Sequence, residues 1–458
     1  MYNKLNAIPS FLFKSDSKLL LFLIIFILLV ILVTFVALNK IETQTKIRAQ
    51  HSLSTVLLTT QEALYLWLGQ TQSVVRDLAS SKEVLNLTNA LLTSKNKYKK
   101  ETDNPDLIKI RNYIRPKLSR FGNKGFFIIT PDNISIASMR DSNIGTINLI
   151  HKRRKNILLE AFNGETKFIA TIPSDVALYD ENGLLRENLP TQFIVSPIHN
   201  NKKKVIAVLA IRLDPAKNFS RIIQLGRIGQ SGETYAFDDQ SVLISESRFD
   251  DELKILGMIK PDSRGISKIL ITDPGDNLKD NYADDKENNE RPLTLMAKNA
   301  IAGHAGYNTN GYRDYRGVRV FGAWLWDDKL GFGLTTEIDE SEAMEPYYSS
   351  RLILMSVLTF TLMLMFLLIN IYRVEEKEKQ TIFATTVSMT QHILNNILNQ
   401  MQLFQLEAEQ TKDFDDDVKS LIDESINEGK QLVEKLSSVK EMNENAIRNS
   451  IYTKNSDS

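Results

Sequence analysis

Two uncharged apolar runs constrain this 458-residue chain more than any other feature. Leu19–Asn39 and Leu352–Tyr372 are 21 residues each, almost all Leu, Ile, Phe, Val and Met. As helices they measure about 31 Å at ~1.5 Å per residue, the depth of a bilayer core. A buried helix of a soluble protein rarely stays apolar on every face for so long. The first run is too long for a signal-peptide core and lacks a small-x-small cleavage site, so it predicts an uncleaved anchor. A mean hydropathy of −0.20 averages these spans with polar regions on either side.

The spans predict five segments: 1–18, a span at 19–39, an exported region at 40–351, a span at 352–372 and a tail at 373–458. Charges around the first span give almost no bias: Lys4, Lys14 and Lys18 against Asp16 before it, Lys40, Lys46 and Arg48 against Glu42 after it. The second is clearer. Asp339, Glu340, Glu342 and Glu345 precede it, and Arg373, Lys377 and Lys379 follow it. Lys and Arg dominate topology, so both termini are expected in the cytoplasm of a two-pass inner-membrane protein. The chain has no cysteine, which excludes thiolate metal sites and disulfides and suits a bacterial periplasm. Lys+Arg and Asp+Glu are both 56, which argues against a nucleic-acid partner.

The exported region opens with a helical pattern (Ile47, Leu53, Val56, Leu57, Leu64, Leu66, Leu68) with no Pro or Gly before Gly69, a stalk leaving the first span. More helix is expected at Lys82–Leu92 and Pro105–Ser119. Phe126–Thr130 and Ile134–Ser138 predict a hairpin turned at Pro131-Asp132-Asn133. Phe193–Pro197 and Val205–Leu213 predict another, with Lys202, Lys203 and Lys204 at its solvated tip. His151–Lys155 is expected at an exposed helix start. After a connector helix at Ala216–Leu225 the order repeats: Thr234–Asp238 with Val242–Glu246, then Val318–Leu325 with Phe332–Ile338. Two copies of one unit are therefore expected, about 80–215 and about 226–340. The acidic stretch Asp273–Pro292 contains Asp276, Asp280, Asp284 and Asp285. It lacks the spacing of a calcium loop and reads as a surface insertion. No metal and no cofactor is expected.

Residues 45–345 resemble the double Cache family of extracytoplasmic sensor domains. The resemblance rests on the span–long helix–two lobes–span order and on Val205–Phe219 (VIAVLAIRLDPAKNF), Gly229–Phe249 (GQSGETYAFDDQSVLISESRF) and Tyr312–Asp339 (YRDYRGVRVFGAWLWDDKLGFGLTTEID). It implies a membrane-anchored α/β protein with two PAS-like antiparallel-sheet lobes on a long N-terminal helix. It also implies a small-molecule ligand, usually in the membrane-distal lobe. Arg140, Asp141, Asp175 and Tyr179 are the ligand candidates: an Arg can pair with a carboxylate and an Asp with an ammonium. The Tyr–Arg–Trp–Tyr–Asp pattern of the amino-acid binders in that family does not occur here, which counts against an amino-acid ligand. In the proximal lobe Tyr312, Tyr315, Trp324 and Trp326 form an aromatic group that reads as core, with the two tryptophans on one strand face.

The tail has no Pro, one Gly (Gly429), 10 basic and 16 acidic residues. Two helices are expected, at about 374–409 and 416–446, joined by a turn at Thr411–Asp417. Ile382, Met389, Ile393, Ile397, Leu403 and Leu406 are expected to face Val418, Leu421, Ile422, Leu432, Val433, Leu436 and Val439. Neither helix buries such a stripe alone, so the C-terminal α-helical hairpin is expected to form a homodimeric four-helix bundle. His392-Ile-Leu394-Asn395-Asn396-Ile-Leu398-Asn399 is similar to the phospho-acceptor box of sensor histidine kinases that read H-F-L-F-N-x-L-N. Five positions match, Gln391 replaces the usual Pro, and both Phe positions differ. A partly exposed imidazole suits phosphoryl transfer, and Asn396 lies one turn on, on the same face. Only 66 residues follow His392, and no glycine-rich ATP-binding box or Walker loop is present in them. The expected function is a signal-transduction receptor that senses a small molecule and works with a separate histidine kinase or response regulator. The alternatives are a divergent histidine kinase and a non-phosphorylated adaptor receptor.

Overall fold

A computed structural model describes residues 16–94, 98, 103–122, 124–180, 183–280, 290–411 and 415–437. They divide into one unit at 35–352 and another that comprises residues up to 34 together with those from 353 on.

The described residues of 35–352 form eleven strands on a helical backing. Helix α1 (Asp16–Ala79) enters this unit without a break and is followed by α2 (Lys82–Thr93) and α3 (Pro105–Ile114). Both short helices start on side-chain caps: Ser81 Oγ accepts from Val84 N, and Asn104 Oδ1 accepts from Asp106 N at 2.9 Å, with Pro105 in the first turn. The expected helix at 105–119 ends as α at Ile114 and continues as 3-10 turns through Phe121, because Pro116 lacks the N–H an α-helix would need there.

The first sheet is antiparallel, with strand order β2-β1-β7-β6-β3. Its strands are β1 (Phe126–Ile129), β2 (Ser135–Ser138), β3 (Lys167–Pro173), β6 (Pro190–His199) and β7 (Val205–Leu213), with a small hairpin of β4 (Leu178–Tyr179) and β5 (Leu185–Arg186) beside it. Asn133 takes the positive φ (63°) that the β1–β2 turn demands. Helices α4 (Leu149–Arg153) and α5 (Lys155–Phe162) cover one face. The second sheet has the order β8-β11-β10-β9, from β8 (Glu233–Phe237), β9 (Gly306–Arg313), β10 (Arg319–Asp327) and β11 (Phe332–Asp339). Helix α6 (Phe219–Leu225) connects the sheets, and α7 (Asp250–Ile255) and α8 (Leu295–Ile301) pack on the second.

Period-two alternation divides each sheet between two cores. Ile194, Leu209 and Ile211 of the first sheet share a continuous core with Phe321, Leu334 and Ile338 of the second and with Leu53, Leu64 and Val75 of α1. A row of rings crosses it: Trp67 to Phe168 at 6.2 Å, Phe168 to Phe219 at 6.2 Å and Phe219 to Phe332 at 5.5 Å. The opposite faces form separate cores, Phe127, Phe193 and Val208 with α4–α5, and Tyr235, Tyr312 and Trp324 with α7–α8.

Several local expectations differ from this arrangement. Val242–Glu246 is no strand. It makes isolated bridges from Leu243 to Phe237 and from Val242 to Leu270, because the chain pairs on two sides there. Strands β3 and β9 were not expected: β9 is polar (GYNTNGYR) and mostly outside the core, so it carries no alternating apolar signal. Trp326 is more exposed than Trp324 and stays outside the ring group. Tyr312 stacks edge-on to Trp324 at 5.9 Å, and Tyr315 packs on Tyr235 at 5.5 Å. Asp280 accepts from Asn277 at 2.9 Å, while Asp284 and Asp285 lie outside the described residues. Among the described residues no cluster of three acidic or histidine side chains is placed to hold a metal ion.

Helix α10 (Glu345–Gln410) begins at the end of the first unit, carries the second apolar run into the other and continues through His392, and α11 (Asp416–Ser437) follows. The expected helical residues 438–446 lie outside the described residues. Helices α1 and α10 are each long and apolar enough to cross a bilayer. Side chains of the two runs, such as Phe22, Leu28, Phe35, Phe360 and Phe366, are more than half exposed, a surface that calls for an apolar partner, protein or lipid. Among the described residues, Val433 is the one member of the expected stripe that is buried in the hairpin; the other buried residues lie outside that stripe. Leu398, Ala408, Ile426 and Val433 are buried, and a Cβ at Gly429 would sit 2.6 Å from Leu398 Cδ2. Met389, Ile393, Leu403, Leu406 and Leu421 are half or more exposed.

Candidate functional site

The most unusual group in the first sheet is Arg212. Alternation along β7 sets it on the face of Val208 and Ala210, yet it is only 1% exposed. Its guanidinium lies 5.2 Å from each of the Phe127 and Phe193 rings. Nη1 donates to Ser174 Oγ at 3.2 Å. Nη2 lies 3.6 Å from Asp175 Oδ1 and makes no hydrogen bond among the described residues. A buried guanidinium with an unused N–H is costly unless something else completes its shell.

Arg140 and Tyr179 belong to the same electrostatic neighbourhood. Burial lowers the pKa of half-buried Arg140 against the pull of Asp175 and Tyr179. Burial takes Arg212 down to about 10, Asp175 opposes this, and repulsion from Arg140 adds to it. Two arginines thus share one partly exposed aspartate, a local surplus of positive charge that an anion relieves. Of the four sequence candidates, Arg140, Asp175 and Tyr179 are coupled electrostatically here. Asp141 does not join them. It accepts from Arg111 Nη2 at 2.5 Å and so faces α3.

Sequence reasoning missed Arg212 and Ser174. The signal was present: in VIAVLAIRL the arginine occupies an inward step of an otherwise apolar strand, where a charge is rarely found without a task. A separate cleft of about 690 Å³ is lined by Lys124, Arg186, Asp214, Asp262 and Arg264, and none of Arg140, Ser174, Asp175, Tyr179 or Arg212 lines it. Its rim charges pair with one another, Lys124 with Asp214 at 3.2 Å and Arg186 with Asp262.

On α10, His392 Nδ1 and Asn396 Nδ2 lie 3.2 Å apart on an exposed face, as their one-turn spacing requires. Lys202, Lys203 and Lys204 are exposed at the β6–β7 turn, and His151 lies in α4.

No protein-family model matches the sequence, and no curated protein matches it either. Solved structures of sensor and ligand-binding domains resemble part of this chain. The sensor domain of the Vibrio cholerae histidine kinase DctB has 14% identity and a TM-score of 0.38, covering 62% of this chain and 95% of its own. The ligand-binding domain of the Pseudomonas aeruginosa amino acid chemoreceptor PctB, in complex with L-Arg, has 13% identity and a TM-score of 0.37, covering 69% and 99%. The sensory domain of the Campylobacter jejuni chemoreceptor Tlp3, with isoleucine bound, has 13% identity and a TM-score of 0.35, covering 66% and 97%. At these scores the likenesses assign neither ligand nor output to this chain.

Proposed function

We propose that this protein is a two-pass inner-membrane receptor whose first sheet binds a small carboxylate, with both termini in the cytoplasm. The observation that carries the reading is Arg212, buried, with Nη2 3.6 Å from Asp175 and without a hydrogen bond among the described residues. A carboxylate accepts from Arg212 and Arg140, and Asp175 is left to take any donor on the same ligand. Binding removes the repulsion between the two arginines and draws β7 and the Ser174–Tyr179 segment together. The change reaches the membrane through α1 and α10, each continuous with a span. On the cytoplasmic side, the tail acts as a homodimeric hairpin that docks a separate histidine kinase or response regulator, with His392 as phospho-acceptor and Asn396 beside it. The exposed Met389, Ile393, Leu403 and Leu406 support self-association, because a second hairpin covers them.

The test is a thermal-shift screen of the purified full-length protein in detergent. Small carboxylates are compared with their uncharged amides. Stabilisation by one or more carboxylates and by none of the amides is expected. Equal shifts from both series overturn the reading.

A further inference from the structure

The second sheet holds a cluster of ionisable groups that ligand binding in the first does not use. Glu337 on β11 is the direct ladder partner of Glu233 on β8, and both are 4% exposed. Glu337 accepts from Tyr312 Oη at 2.5 Å and from Tyr235 Oη at 2.8 Å. Glu233 accepts from Ser247 Oγ at 2.7 Å, from Arg248 N at 2.6 Å and from Tyr315 Oη at 2.6 Å. Gly322 is the ladder partner of Glu337 on β10, and a Cβ there would collide with the Tyr312 hydroxyl. The glycine is what lets Tyr312 reach the carboxylate.

The cation of this cluster is already engaged. Arg316 pairs with Asp314 at 2.7 Å, with Asp339 at 3.1 Å and with Glu252 of α7 at 3.5 Å, and it stacks on Phe249 at 3.6 Å. Helix α8 brings Met296, Ala297 and Ala300 to this core. Glu337 therefore faces Tyr235, Tyr312, Glu233 and Asp314, with Tyr315 bonded to Glu233 and Arg316 committed to other carboxylates. Its own two partners are neutral hydroxyls. Two carboxylates directly opposite in a buried ladder do not both stay ionised at low cost. When Glu337 is protonated, the network survives by reversing one tyrosine hydrogen bond, since a hydroxyl both donates and accepts.

We infer that the second sheet is an independent proton sensor, in which Glu337 gains or loses one proton as external pH changes and β11 passes the change to the chain entering the second span. Glu337 lies two residues before Asp339, where β11 ends and α9 (Glu340–Ala343) and then α10 begin. Asp339 is held from two sides, by Arg316 on its carboxylate and by Ser231 Oγ on its N–H at 3.1 Å. Ionisation of Glu337 sets it against Glu233 and strains the β8–β11 pairing next to that anchor. Burial and then repulsion from Asp314 push Glu337 up to about 8, against the lowering effect of the two tyrosine donors. This inference does not depend on a ligand at Arg212.

The test is infrared difference spectroscopy of the ligand-free full-length protein across a pH titration. A buried carboxylic C=O band that disappears with a midpoint near about 8 is expected, and it is absent from Glu337→Gln. Tyr312→Phe removes a donor to the carboxylate and shifts the midpoint upward; this variant decides the matter if Glu337→Gln does not fold. A wild-type spectrum with no such band titrating between about pH 6 and 10 overturns the inference. So does a band that persists in Glu337→Gln, or a midpoint unmoved by Tyr312→Phe.

Discussion

Tyr65 on α1 donates its hydroxyl to Asp327 Oδ2 at 2.5 Å, across 262 residues of chain. Gln61, one turn earlier, donates to the same oxygen at 2.5 Å. Asp327 Oδ1 accepts from Lys329 N and Leu330 N at 2.9 Å each and so shapes the β10–β11 turn. One buried carboxylate thus joins the stalk helix to the second sheet. Asp327→Ala leaves four donors without their acceptor, and the predicted loss is about 2–3 kcal/mol or more. Tyr65→Phe removes one donor and costs about 1 kcal/mol. Thermal unfolding of the two variants checks the order; equal melting temperatures contradict it.

Glu342 forms a second latch, at the entry to α10. Its carboxylate accepts from Gln230 N at 2.6 Å and Ser231 N at 2.7 Å. Burial raises its pKa, but these backbone donors and the Ser231 hydroxyl outweigh that, and the net shift is downward. A carboxylate with a lowered folded-state pKa stabilises above its unfolded value, near 4.5, and loses that contribution as pH falls through the folded one. Wild type is therefore predicted to melt above Glu342→Gln at neutral pH, with the gap closing under acid conditions. A gap that is constant or grows on acidification contradicts this.

The spans, the stalk and the main hairpins were legible because each rests on a local signal: uninterrupted apolarity, three- and four-residue spacing, or a Pro-Asp-Asn turn. Strand β9 was not, since its pairing with β10 is decided by tertiary contact rather than by its own polar sequence. Of the candidate site, Arg140, Asp175 and Tyr179 were legible as residue types that bind polar ligands. Arg212 and Glu337 were hidden because each belongs to a strand read only for its apolar residues. A charge at an inward step of such a strand was the available clue. Asp141 misled because its neighbour in space, Arg111, is 30 residues away in sequence.

The cytoplasmic reading makes its own prediction. Because the chain contains no cysteine, Ile393→Cys introduces a unique thiol on the exposed stripe of α10. Oxidation of membranes is predicted to give a disulfide-linked dimer from Ile393→Cys and none from a cysteine at Ser425 on α11. Equal yields contradict the bundle.

Phosphotransfer is tested by supplying partner kinases and labelled ATP to the full-length protein. Label on wild type and none on His392→Ala is predicted, with Asn396→Ala slowed. Equal labelling of wild type and His392→Ala contradicts the acceptor role. Label without an added kinase favours a divergent kinase instead.

The central claim is that a small carboxylate binds between Arg212 and Arg140. Its most direct measurement is calorimetric titration of the full-length protein with the most stabilising carboxylate, using wild type, Arg140→Ala and Arg212→Lys. Arg140 is half-buried and lies just after β2, so its removal is expected to disturb the fold less than a change at the buried Arg212. The prediction is saturable binding to wild type, weakened at least about tenfold, or ~1.4 kcal/mol, in each variant. Unchanged affinity in both variants contradicts the account.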